Sequence, residues 1–353
     1  MRCLHRQLAT ASWIILLALP ALSGADPHFD SPSSSHSHRP RPDDHAPIGV
    51  MGDHMHKKGE FMLSYRYMFM NMNGNRSGTD RVGTDAVNAR FPVAPFDMDM
   101  EMHMLGLMWA PSDHITLMAM LPFVELDMQH RTRMGGGFET ETSGIGDIAL
   151  GGLLNLAGWD GAVFGSEAKH RLHVNFGVSL PTGSVDLKDE TPMGRVRLPY
   201  PMQIGSGTYD LLPGLLYKGS TKRYSWGAQL RGKLRTGRNS KGYHLGHRVG
   251  GTAWLARRWS GAVSTSLRVD VQDWGNIRGD DDSLNPNLVP TADPDRRGGR
   301  RVDLLAGVNF LINRGPLRDH RIAAEVGWPV YQDLDGPQLE TDWSAMLGWQ
   351  RAF

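Results

Sequence analysis

The sequence predicts an all-β fold: a transmembrane antiparallel β-barrel of about twelve strands, with short periplasmic turns and long extracellular loops. Three observations predict it. From Phe61 onward, hydrophobicity alternates residue by residue rather than with helical spacing. Most of the alternating segments exceed the ~9–11 residues that a tilted strand needs to cross a bilayer. Their connections alternate between short and long, as they do on the two rims of an outer-membrane barrel.

The chain opens on Arg2 and Arg6, followed by an apolar run from Trp13 to Leu22. That run is too short to span a bilayer as a stable helix and has the layout of a secretion signal. Ser23-Gly24-Ala25 supplies small residues for a peptidase, so residues 1–25 are expected to leave as a signal peptide. Cys3, the single cysteine, leaves with them, which removes cysteine nucleophiles and cysteine-based metal sites. Residues 26–57, rich in His, Pro and Ser, are expected to form a flexible periplasmic segment, and residues 58–353 the barrel. A formal net charge of +1 with no basic block argues against a nucleic-acid partner.

Twelve strand segments follow, at roughly 59–73, 96–110, 114–129, 143–157, 170–182, 205–218, 223–237, 247–259, 261–275, 300–313, 319–332 and 340–353. In Arg223 to Arg235, Tyr224, Trp226, Ala228, Leu230 and Leu234 share one face. Arg223, Gln229, Arg231, Lys233 and Arg235 share the other, because successive strand side chains point to opposite sides. Val302, Leu304, Ala306, Val308 and Phe310 oppose Asp303, and Ile322, Ala324, Val326 and Trp328 oppose Arg321 and Glu325. Periodicity alone leaves a soluble sandwich or lipocalin-like barrel possible, since it does not say which face is inside. Strand length, aromatics near strand ends and the terminal Phe353 favour the apolar face outward. A last strand ending in Phe resembles the signal read by the outer-membrane barrel assembly machinery, which makes that machinery and outer-membrane lipid the expected partners.

With charge inside, the expected lumen lining includes Arg66, Asp97, Asp99, Glu101, His114, Asp127, Asp210, Arg231, Lys233, Arg235, Arg268, Asp303 and Glu325. The basic trio of the seventh strand would then face the acidic trio of the second across the pore. Such opposed ladders would either orient a polar solute or pair with nearby side chains.

Methionine is the unusual component, with fifteen of nineteen between Met51 and Met134. In "DMDMEMHMLGLM", Met98, Met100, Met102 and Met104 alternate with acids, which reads as methionine facing lipid as a flexible apolar side chain. Met62, Met68, Met70, Met118 and Met120 read the other way, into the lumen. There they pack a narrow interior, line a path for apolar solutes, or offer thioethers to Cu(I) or Ag(I). Just upstream, His54 and His56 flank Met55, with Met51 nearby, a candidate copper site whose spacing matches no strict metal motif. No cofactor is otherwise expected. The chain carries no G-x-S-x-G nucleophile motif, and its Gly-rich pieces lack the Lys and helix of a phosphate loop, so no enzyme activity is expected.

Several phrases taken together, among them "HAPIGVMGDHMHKKGE", "DHITLMAMLPF", "SGIGDIALGGL", "SLPTGSVD" and "PMQIGSGTYDLLPGLLY", resemble the transporter family named for the meta-cleavage pathway of phenol degradation. The resemblance covers most of the chain from His45 to Phe353. It implies a β-barrel in the outer membrane of a Gram-negative bacterium, passing small aromatic or apolar solutes passively. The alternative function is an envelope barrel that handles copper or silver through Met and His.

Overall fold

The computed structural model describes residues 40–353 apart from Phe164, so the expected signal peptide and residues 26–39 lie outside the described residues. One antiparallel sheet rolls into a closed wall. Its strands are β1 Phe61–Gly78, β2 Val93–Ser112, β3 Ile115–Thr132, β4 Ala149–Val163, β5 Ser166–Ser179 and β6 Gly214–Ser220. They continue with β7 Tyr224–Thr236, β8 Arg248–Arg258, β9 Val263–Trp274, β10 Gly299–Leu311 and β11 His320–Ala352. Gly137–Ile145 extends the β4 position upward along β3, and Tyr209–Leu211 does the same for β6 along β5 and β7. The ring shuts where β1 meets β11, with Met62 opposite Ala352 and Phe353 N–H donating to Phe61 at 2.7 Å.

β11 is one unbroken run of 33 residues, yet its first part pairs with β10 and its last part with β1. It folds back near Gly336-Pro337, where the Gln332 side chain brackets the backbone of Thr341. It therefore crosses the wall twice. A ring whose neighbours all run antiparallel requires an even number of crossings, and the total is twelve, as the alternation predicts.

The apolar face is outside. Leu267, Leu230, Val249, Leu255, Trp328 and Val330 are each more than half exposed, while Arg268, Asp270, Arg321 and Glu325 on the same strands are buried. Exposed apolar side chains in a continuous belt are what hydrocarbon requires and water penalises. Aromatics mark the short-turn rim, with Phe61 stacked on Trp109 and Trp159 on His170. Leu267, 70% exposed, is a clean test of this orientation. Leu267→Arg should destabilise the barrel by ~2–4 kcal/mol at mid-bilayer depth, read as a lower unfolding midpoint in lipid. A shift of a few tenths would mean that this face is wet.

One strand pair departs from the expected orientation. β1, β2 and β3 have 18, 20 and 18 residues, well beyond one bilayer crossing. Their lower halves present Leu63, Leu105, Leu107, Leu117 and Phe123 outward. Side-chain direction then continues unchanged, so Asp97, Asp99, Glu101 and Asp127 also point outward, on wall that stands clear of the apolar belt. Tyr67 donates to Glu101 at 2.8 Å and Asn71 to Asp99 at 2.7 Å on that outer surface. The acids thus line no pore, and Met98, Met100, Met102 and Met104 face inward rather than to lipid.

Candidate functional site

The lumen is built from three components: a thioether wall, an ion-paired wall and an inserted segment. Every methionine of β1–β3 lies on the inner face. Met62 sits opposite Met108, Met68 opposite Met102, Met70 opposite Met100 and Met72 opposite Met98. Across the next seam Met98 faces Met128 and Met108 faces Met118. Toward the long-loop rim this wall packs against Leu198 and Met202 of the loop between β5 and β6. That loop is tied to its neighbours by Arg197, which pairs with Asp186 at 2.6 Å and Asp281 at 2.5 Å, and by Tyr200 packed edge-on against Tyr243.

On the other side of the barrel the charges pair over short range, within a strand or with a strand one or two places along the wall. Arg268 makes two 2.8 Å hydrogen bonds to Glu325 and one of 3.2 Å to Asp270. Arg231 reaches Asp270 at 2.8 Å over Gly250, whose missing side chain leaves it room. Arg301 pairs with Asp303, while Arg235 and Lys233 converge on fully buried Asp210. Arg231, Lys233, Arg235, Arg268, Asp210, Asp303 and Glu325 all belong to this inner network. The expected opposition of a basic and an acidic ladder does not form, because the acids of β2 are outside. Low local dielectric favours short-range pairing over a field across the pore. His114 also departs from expectation: it is exposed in the turn before β3 and lines nothing.

Residues 40–57, expected as flexible periplasmic chain, instead run inside the barrel. Ala46, Ile48, Val50 and Asp53 are at most 2% exposed. A loop buried without partners would leave its backbone polar groups unsatisfied, and here the wall supplies the partners. Arg321 donates to the Ala46 carbonyl at 2.7 Å, Gln229 to Met51 at 2.8 Å, and His173 and Asn175 to Gly52 at 3.0 and 3.1 Å. Glu325 accepts from Gly49 N–H at 3.1 Å, and Thr116 from His56 N–H at 3.1 Å. A Cβ at Gly49 would lie 2.3 Å from Arg268, so only glycine passes the Arg268–Glu325 pair. Composition hid this segment because its contacts are made by its backbone and glycines. Its apolar residues Ala46, Ile48, Val50, Met51 and Met55 were the available signal.

The inserted segment carries the candidate metal residues. His54 and His56, two residues apart on extended chain, project the same way and place their Nε2 atoms 3.2 Å apart. Asp53 holds His54 Nδ1 at 2.8 Å, and the His45 ring lies 4.0 Å from that of His54. Met51 borders the cavity beside His54, whereas Met55 is not in its lining and packs against the cluster of Met62, Met108 and Leu153. Burial, with His54 close by, pulls His56 down to about 4 and His45 well below the usual imidazole value.

A family model described as "Putative MetA-pathway of phenol degradation" matches residues 74–203, which include β2 to β5 and the part of the β5–β6 loop that carries Leu198 and Met202. No curated protein matches the chain in sequence. Among solved structures, an outer membrane channel from Pseudomonas putida F1 is similar with a TM-score of 0.57 at 12% identity, over 86% of this chain and 98% of that one. The transport unit of the autotransporter AIDA-I from Escherichia coli aligns more loosely, at a TM-score of 0.40 and 9% identity, over 87% of this chain and 94% of that one. The first of these likenesses shows a shared outer-membrane barrel fold. The family model matched over residues 74–203 is the one that the sequence phrases resemble.

Proposed function

We propose that the protein is an outer-membrane channel for passive passage of small aromatic or apolar solutes, gated by residues 40–57. The observation that carries this reading is the asymmetric interior. A flexible, polarizable methionine wall faces the inserted segment on one side, and a fixed network of ion pairs holds that segment on the other. Methionine adapts its three rotatable bonds to irregular apolar shapes and makes favourable sulfur–aromatic contacts, so the thioether wall suits a ring-bearing solute. The family description and the channel from Pseudomonas putida F1 support the same direction. Solute would move down its gradient between the wall and a displaced segment, with Met62, Met68, Met70, Met118 and Met120 as lining.

The test is uptake of a labelled phenolic compound by cells lacking the protein, with and without the chain restored. Restoration should raise initial uptake several-fold, and replacing Met68, Met70 and Met120 together by Ser should remove most of the gain. Equal uptake in all three strains would reject the reading.

A further inference from the structure

The geometry points to a binding site for one soft monovalent metal cation, Cu(I) or Ag(I), on the inserted segment, with His54 and His56 as nitrogen ligands. This goes beyond the channel reading and does not depend on what passes through the barrel.

The two Nε2 atoms are 3.2 Å apart. At a metal–nitrogen distance of about 2.0 Å, that separation corresponds to an angle near the tetrahedral value at a shared ion, which would replace the hydrogen bond now joining the two rings. Asp53, whose side chain is 3% exposed, fixes the His54 ring through Nδ1 and leaves Nε2 as the coordinating atom. A carboxylate behind a ligating imidazole sets tautomer and orientation in just this way. His45 supplies an independent sign: its Nδ1 is sealed from solvent and has no hydrogen-bond partner. One ligand atom each from His45, Asp53 and His54 lies within 4.8 Å of the others. A buried nitrogen without a partner costs free energy unless something accepts its lone pair or proton, and a metal ion would accept the lone pair.

Two features select the kind of ion. The adjoining cavity holds about 20 Å³ and is bordered by Met51, Met62, Met108, Met118 and Met120 as well as His54. That volume admits one water or one ion and no aromatic ring. Its sulfurs are the soft donors that, with imidazole, suit Cu(I) and Ag(I). Arg66, 7% exposed, borders the same cavity without a hydrogen bond from its Nε. Asp53 on the same wall offsets the charge of Arg66, so the preference for a soft monovalent cation over Zn(II) or Cu(II) rests on the thioethers.

The test uses the full mature chain without an affinity tag, folded in detergent micelles, titrated with Cu(I) held by the chromophoric chelator bicinchoninate under anaerobic reducing conditions. One Cu(I) per barrel should be withdrawn from the chelator. His54→Gln with His56→Gln should weaken this uptake at least 100-fold, Asp53→Asn about 10-fold or more, and Met118→Leu with Met62→Leu should weaken Cu(I) and Ag(I) alike. Fast migration of unheated protein on a gel confirms that each variant barrel is folded. X-ray absorption on the loaded wild-type protein should show both nitrogen and sulfur neighbours. Equal uptake by wild type and the double His variant, displacement of Cu(I) by equimolar Zn(II), or a shell with no sulfur would each overturn the site.

Discussion

Deleting residues 40–57 should turn a nearly silent barrel into one that conducts steadily in planar bilayers, with a rise of several-fold or more. The segment fills the lumen between the methionine wall and the Arg268–Glu325 network, and its backbone is held by at least five wall side chains. The wall itself needs none of those contacts, because its ladder hydrogen bonds close on themselves from β1 to β11. The deleted form should therefore still fold, with water replacing the lost partners of Arg321, Gln229 and His173. Heat-modifiable gel mobility checks the folding and single-channel recording the opening. If the deleted barrel stays as silent as the full chain, the loop carrying Leu198 and Met202 closes the path instead, and the segment is not the gate.

Replacing Glu325 by Ala should cost about 3–5 kcal/mol, the range for removing one partner of a buried ion pair. Arg268 and Glu325 are 7% and 2% exposed, so the stranded guanidinium cannot recover its hydration. Asp270, at 3.2 Å, offsets part of the loss and places the expectation toward the lower end. The same change removes the acceptor of Gly49 N–H, so loosening of the inserted segment should accompany the fall in stability. Denaturant unfolding in micelles measures the first effect and channel noise the second. Replacing Arg268 and Glu325 together by Met should restore most of the stability, since an apolar pair of similar volume leaves no buried charge behind. A double variant as unstable as the single one would show that volume, rather than charge, holds this part of the lumen.

The sequence by itself determined the wall. Period-two alternation at Arg223 to Arg235, Val302 to Phe310 and Ile322 to Trp328 named the strands, their inward charges and the number of crossings, because a one-residue step in a strand reverses a side chain. It also placed Met62, Met68, Met70, Met118 and Met120 inside. What only the tertiary structure decided was where the membrane stops and what fills the lumen. The acids of β2 looked inward because charge in a bilayer is expensive, but a strand of 20 residues outruns the bilayer and its outer face then meets water. The unbroken run of outward positions from Asp97 through Glu101 to Leu105, Leu107 and Trp109 contained that answer, though chemistry at each residue pointed the other way. Residues 40–57 were illegible for a different reason. Their burial rests on backbone groups and glycines that meet Arg321, Glu325, Gln229 and His173 more than a hundred residues away, and local composition carries no record of such distant partners.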